Sequence, residues 1–329
     1  MSTSDKNFQI AAVVIGRNEG LRLITCLESL QDSVEHIIYV DSGSSDNSVK
    51  EAEKRGVICL SLDLNIPFTA ARARNEGANY LIQKYPDLDA IQFIDGDCEL
   101  QYDWVGKARQ FLVENPEYAV VCGRRKERFP DNTIYNGLCD IEWNTPVGDA
   151  LACGGDALIR VKSFKQVYGY RDGLIAGEEP EMCFRLRREG WRIYRLNAEM
   201  TLHDAAMTKF SQWWNRAKRA GYAYASSFFL HGQSFEKFKQ KEVFSIVFWA
   251  GLIPLLIILL TFINSYSLFL LIIYLLQLAK IYFKNKRINK IHFIYSISLM
   301  FSKFPQFLGV IKFIINKLKG NKEYLIEYK

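Results

Sequence analysis

Asp95 and Asp97 stand two residues apart, separated by Gly96, directly after the apolar run Phe93-Ile94. Two hard oxygen donors at that spacing suit Mg²⁺ or Mn²⁺, which keeps its remaining positions for water and phosphate oxygens. Gly96 lets the backbone approach a ligand closely. A lone D-x-D is weak evidence, but one delivered by a buried strand is more specific. An earlier strand-end carboxylate, Asp41, opens the turn Asp41-Ser42-Gly43-Ser44-Ser45-Asp46. It can accept from a base N–H or a ribose hydroxyl, while Ser44–Asp46 read mainly as turn and helix-cap chemistry. Ala73-Arg74-Asn75 reads as the opening of a helix after a proline-containing loop. A guanidinium fixed there can neutralise a diphosphate.

Three later segments add polar groups. In Cys153-Gly154-Gly155-Asp156 the glycines allow a substrate to approach the backbone, and Asp156 could hold a sugar or acceptor hydroxyl. Gly177-Glu178-Glu179-Pro180-Glu181 precedes an amphipathic helix read over 181–189. Capping and the helix dipole account for one acid, Glu181, but not for three, so one of the others is a candidate general base. His203, after the strand Arg192–Leu196, is read as a metal or phosphate contact.

The elements that must carry these groups alternate in type. Gln9–Ile15 is an apolar strand ending in the polar turn Gly16-Arg17-Asn18-Glu19-Gly20, and Leu21, Ile24, Leu27 and Leu30 then repeat at helical spacing. Strands follow at His36–Val40, Val57–Leu62 and Ala90–Ile94. Strand, helix, strand at this spacing means a parallel sheet with crossover helices, whose ligands sit at the carboxyl ends of the strands.

The composition shifts near residue 240. Val243–Ala279 carries no charged residue and is roughly twice the ~20 residues one membrane span needs. Asn264-Ser265-Tyr266-Ser267 divides it, giving two expected transmembrane helices, about 243–263 and 266–283. Lys237, Lys239 and Lys241 precede them, and Lys280, Lys284, Lys286, Arg287 and Lys290 end or follow them, so both ends are expected on the cytosolic side. The stretch 291–319, interrupted by Pro305, reads as amphipathic helices lying in the interface. A third crossing would put Lys317, Lys319, Lys322 and Lys329 outside. The segment 206–240, with Trp213, Trp214, Arg216, Lys218, Arg219 and Tyr222, suits the headgroup layer as a set of interfacial linker helices. The expected organisation is a catalytic domain over 1–240 and a membrane region over 241–329.

The whole chain has 329 residues, 49% hydrophobic and 24% charged, which excludes a disordered chain or a disulfide miniprotein. A net charge of +6, from 42 basic and 36 acidic residues, is too small for a general nucleic-acid binder. The cysteines, 26, 59, 98, 122, 139, 153 and 183, form no CxxC pair and read as buried thiols in a reducing compartment. The start MSTSDKNFQI lacks a basic region followed by a long apolar run, so no secretory signal is read and the soluble part is expected in the cytosol.

Taken in order, Val14-Ile15-Gly16-Arg17-Asn18-Glu19, Val40–Asp46, Ala73-Arg74-Asn75, Asp95-Gly96-Asp97, Gly154-Gly155-Asp156 and Gly177-Glu178-Glu179 resemble glycosyltransferase family 2, over about residues 8–205. The resemblance implies an α/β fold of the GT-A type, a Rossmann-like mixed sheet, followed here by the helical membrane region. It implies a metal-dependent, inverting transfer of one sugar from a UDP-, GDP- or dTDP-linked donor. Arg17, Glu19, Asp41, Arg74, Asp95 and Asp156 would bind the nucleotide-sugar, with Arg74 facing the diphosphate. Asp97, Asp95 and His203 would hold Mg²⁺ or Mn²⁺. Glu179 would be the catalytic base, with Glu178 the alternative, because the family's usual Glu-Asp is Glu-Glu here. Gly154, Gly155, Trp213 and Trp214 would lie on the acceptor side. Gln212-Trp213-Trp214-Asn215-Arg216 departs from the Q-x-x-R-W order of processive members, which implies a single addition. With the membrane segments, this gives a lipid-linked acceptor at the cytoplasmic face of the cell membrane, in cell-surface glycan or glycolipid synthesis. One rival is a nucleotidyltransferase, for which Gly16–Gly20 is too short and too acidic a phosphate loop. A second rival, a non-enzymatic membrane scaffold, would be expected to have lost Asp95, Asp97 or Glu179.

Overall fold

The computed structural model describes residues 8–284 and 290–320. Of the residues read above, 1–7, Lys286, Arg287, Lys322 and Lys329 lie outside the described residues, as does the side chain of Lys290.

Nine strands form one sheet: β1 (Ile10–Gly16), β2 (His36–Asp41), β3 (Ile58–Ser61), β4 (Ala90–Asp95), β5 (Cys98–Leu100), β6 (Tyr118–Glu127), β7 (Gly148–Asp149), β8 (Ala157–Arg160) and β9 (Arg192–His203). Their order is β3-β2-β1-β4-β8-β6-β9-β5, with β7 on β9. The first four positions are parallel. β8 runs antiparallel to both β4 and β6, so the sheet is mixed. Ile10–Val14 of β1 are wholly buried, the continuous apolar run expected of a strand covered on both faces. The helix Ala70–Lys84 comes close to the sheet at Gly77, where a Cβ would stand 2.6 Å from Val13 Cγ1 and 2.9 Å from Val40 Cγ2.

Register fixes where the acids arrive. Gly16 lies opposite Asp41, and Ile15 lies opposite Asp95, so both carboxylates leave the same edge on either side of β1. β6 and β9 pair in parallel but irregularly: Cys122 faces Arg195, whereas Arg125 faces Thr201. The extra residues on β9 form a bulge, a feature that re-aims side chains.

The chain divides into two compact units, residues 1–130 with 142–205, and residues 131–141 with 206–329. The second unit is helical. Phe210–His231 crosses Lys303–Lys319 through two glycines, since a Cβ on Gly221 would run into Gln306 O and one on Gly309 into Lys218 O. Trp213 stacks on Phe301 at 6.1 Å, and Trp214 meets the same ring at 5.9 Å. The break in the last apolar stretch falls at Ser302, not at Pro305. Pro305 sits in the first turn of Lys303–Lys319, where its missing N–H removes no helical bond. Among the described residues, three helices are long and apolar enough to cross a membrane: Gln240–Thr261, Ser265–Lys284 and Ile291–Lys319.

Candidate active site

Two loops at the parallel edge are tied together by Asn18. Its Oδ1 accepts from Ser45 N at 2.7 Å, and its own N–H donates to Ser44 Oγ at 2.9 Å. Asn18 has φ 56°, a left-handed conformation that asparagine tolerates. Asp41 is buried, and both its oxygens serve its own turn. Oδ2 accepts from Gly43 N at 2.9 Å and Ser44 N at 2.8 Å, and Oδ1 accepts from Tyr39 OH and Ser44 Oγ. Four donors saturate a carboxylate, so Asp41 here organises the loop. Arg17 lies over the Phe68 ring at 4.6 Å, and Glu19 pairs with Arg22 at 2.6 Å.

The centre of the site is Arg74. The helix bearing it starts at Ala70, capped by Thr69 Oγ1, so Arg74 lies one turn inside rather than at the opening. It is 2% exposed. Its Nη1 donates to Glu178 Oε1 at 2.9 Å and Glu179 Oε1 at 3.1 Å, and its Nη2 donates to Asp95 Oδ1 at 2.8 Å. The expected outward reach to a diphosphate is therefore replaced by a hub joining three acids. Glu178 and Glu179 open the helix Glu178–Arg188, earlier than the start expected at 181. Burial raises the Glu179 pKa, the neighbouring Glu178 charge adds to this, and Arg74 only partly offsets it, leaving the carboxyl at about 7. For Asp95 burial acts in the same direction, but Arg74 and then Arg125 outweigh it and hold the carboxyl below its usual range.

Gly155 belongs to this cluster for a steric reason. A Cβ there would stand 2.6 Å from Arg74 Nη2 and 2.9 Å from Asp95 Oδ2. Gly154 has open space at the same position. Asp156 departs from the expected ligand contact. It is 0% exposed, accepts from Asp95 N at 3.1 Å and Thr201 Oγ1 at 2.7 Å, and so buttresses Asp95 from behind. Arg125, on β6, donates to Asp95 Oδ2 at 3.0 Å and to Cys98 Sγ at 3.3 Å, and its Nε lies 3.5 Å from Asp156 Oδ2.

Asp97 and His203 meet beside this cluster, with Oδ2 and Nε2 3.3 Å apart. With Cys98 they form a buried group whose ligand atoms all lie within 4.8 Å of one another. His203 Nδ1 is buried with no hydrogen-bond partner, and Glu127 Oε2 stands 3.8 Å from it. A carboxylate and an imidazole, with a second carboxylate behind the ring, are a donor set that could hold Mn²⁺ or Mg²⁺. Asp95 is less suited to that role, because each of its oxygens faces a guanidinium. Trp213 and Trp214 belong to the second unit. The sequence reading missed Arg125, Glu127, Thr201 and Trp143, and it named Asn18 only as part of a motif. Tyr118-Ala119-Val120-Val121-Cys122 is a buried-strand signal that would have placed Arg125 and Glu127 on β6.

The fold is that of known sugar transferases. A mannosyltransferase from Pyrobaculum calidifontis, solved with GDP-Man and Mn²⁺, superposes with a TM-score of 0.64 at 13% identity, covering 94% of this chain and 88% of that one. A TPR repeat-containing protein of Synechococcus elongatus is 29% identical over 138 residues, 42% of this chain, and the match spans only 32% of that relative's length. The mixed sheet is of the GT-A type, and residues 12–167 match the model for glycosyl transferase family 2.

Proposed function

We propose that the protein moves one sugar from a nucleotide-sugar to an acceptor hydroxyl or phosphate, inverting the anomeric carbon. The observation that carries this reading is the Glu179 carboxyl, held by Arg74 beside the Asp95-Gly96-Asp97 edge with its pKa raised to about 7. A base works best when its pKa lies near the working pH. Glu179 takes the proton of the acceptor hydroxyl as that oxygen attacks the anomeric carbon from the face opposite the leaving group. Arg74 and Glu178 keep Glu179 oriented. The loops tied by Asn18, with Arg17, receive the nucleotide. Asp97 and His203 would hold a divalent cation, which would supply positive charge near the departing diphosphate. A single displacement needs no covalent nucleophile.

The acceptor we propose is lipid-linked, reached from the cytoplasmic face of the membrane, in cell-surface glycan or glycolipid synthesis. Three helices of sufficient length and apolarity support membrane attachment. The test uses the full chain in lipid nanodiscs with Mn²⁺ and a panel of UDP-, GDP- and dTDP-sugars. Release of nucleoside diphosphate from one donor, increased by a polyprenyl phosphate, supports the reading. Absence of release from every donor overturns it.

A further inference from the structure

Six acids gather at the site: Asp95, Asp97, Glu127, Asp156, Glu178 and Glu179. Arg74 pairs with Asp95, Glu178 and Glu179, and a second guanidinium, Arg125, pairs with Asp95 and stands beside Asp156. Its position is unusual in three respects. It lies where the pairing of β6 with β9 slips, so that its cross-strand neighbour is Thr201, whose Oγ1 donates to Asp156 Oδ2 while Arg125 Nε stands 3.5 Å from the same oxygen. Its Nη2 reaches the Asp95 oxygen that Arg74 leaves open, Oδ2 against Oδ1. Its guanidinium carbon stands 5.1 Å from the Trp143 ring centre, and that ring lies edge-on to His203 at 4.7 Å. One aromatic ring therefore spaces Arg125 from the imidazole.

A carboxylate with a guanidinium on each oxygen has little left to offer a cation. Asp95 is further fixed because its own N–H donates to Asp156 Oδ1 at 3.1 Å. Asp97, two residues on, pairs instead with the imidazole of His203. We propose that Arg125 is a positioning residue: with Arg74 it clamps Asp95 between two guanidiniums, so that Asp95 aligns Arg74 and stays outside the coordination of a divalent cation held by Asp97 and His203. The proposal rests on the transferase reading for its purpose, but not for its geometry. A lysine could neutralise Asp156 equally well, yet its single ammonium cannot span Asp95, Asp156 and Cys98 as a planar fork does.

The test reads metal binding as well as turnover. Mn²⁺ is titrated by calorimetry into the full chain in detergent, without nucleotide, for wild type, Arg125→Lys and Asp95→Asn. In Arg125→Lys the freed Asp95 oxygen turns to the cation, and Mn²⁺ binds on the order of tenfold more tightly while kcat falls about 10–100-fold, the range seen when residues supporting a metal site are changed. In Asp95→Asn, which keeps one accepting oxygen and loses the charge, Mn²⁺ affinity stays at the wild-type value because Asp95 gives the cation no ligand. Unchanged Mn²⁺ affinity in folded Arg125→Lys overturns the proposal. Should Arg125→Lys fail to fold, a loss of Mn²⁺ affinity in Asp95→Asn overturns it alone. A wild-type chain that binds Mn²⁺ but uses no nucleotide-sugar defeats the transferase reading, and the titrations still decide the role of Arg125.

Discussion

Arg74 shows what residue type alone reveals and what it hides. Its charge and place near a helix start marked it for the site, but the sequence reading aimed it at a diphosphate. The structure turns it inward onto Asp95, Glu178 and Glu179, because the helix begins at Ala70 and carries Arg74 round to the sheet side. Glu179 is the group whose chemistry follows most directly. Replacing it by glutamine is expected to leave donor binding intact and to reduce kcat by about 10²–10⁴, the usual range for a general base. Its pKa of about 7 sets the pH dependence. The base must be ionised, so kcat should fall roughly tenfold per unit as pH drops below about 7 and level off above it. A flat profile between pH 5 and 8 would assign the proton transfer elsewhere. For the cation, Asp97→Ala should abolish Mn²⁺-dependent binding of nucleoside diphosphate, measured by calorimetry, without loss of the folded state. Asp97, Asp95 and Glu179 were legible because each lies in a short local pattern. Arg125, Thr201 and Trp143 were not, because they reach the site through contacts distant in sequence.

At the scale of elements, the parallel half of the sheet was readable from apolar runs, and its register alone delivers Asp41 and Asp95 to one edge. β6 and the longer part of β9 were harder, since Arg124, Arg125 and Lys126 interrupt the apolar pattern on β6 and the bulge breaks its period. Glycines record where elements approach closely. Gly77→Ala forces Val13 or Val40 aside and should cost about 1–3 kcal/mol of stability, as overpacking does, read as a lower denaturant midpoint. Gly155→Ala acts differently. Its Cβ would wedge between Arg74 and Asp95, so turnover should fall more than stability. Equal loss at both positions, with turnover spared in Gly155→Ala, would mean that Gly155 is only a packing glycine.

At the scale of the molecule, the change near residue 240 told of the apolar helices, but the compact second unit begins earlier, at 206, and recruits 131–141. Composition could not show this, because Phe210–His231 mixes aromatic, basic and small residues. Its partner becomes visible only in the glycine crossing with Lys303–Lys319. Membrane attachment predicts that the full chain stays in the pellet after an alkaline carbonate wash and is released by detergent; recovery in the wash would contradict it.

In the proposed mechanism Glu179 drives transfer from a nucleotide-sugar. The most direct measurement compares wild type with Glu179→Gln, full length in nanodiscs with Mn²⁺ and the donor that the panel identifies, following glycosylated acceptor and its anomeric configuration. Wild type should give inverted product, and Glu179→Gln about 10²–10⁴ less at equal donor affinity. Retained configuration, or a Glu179→Gln protein as fast as wild type, would contradict it.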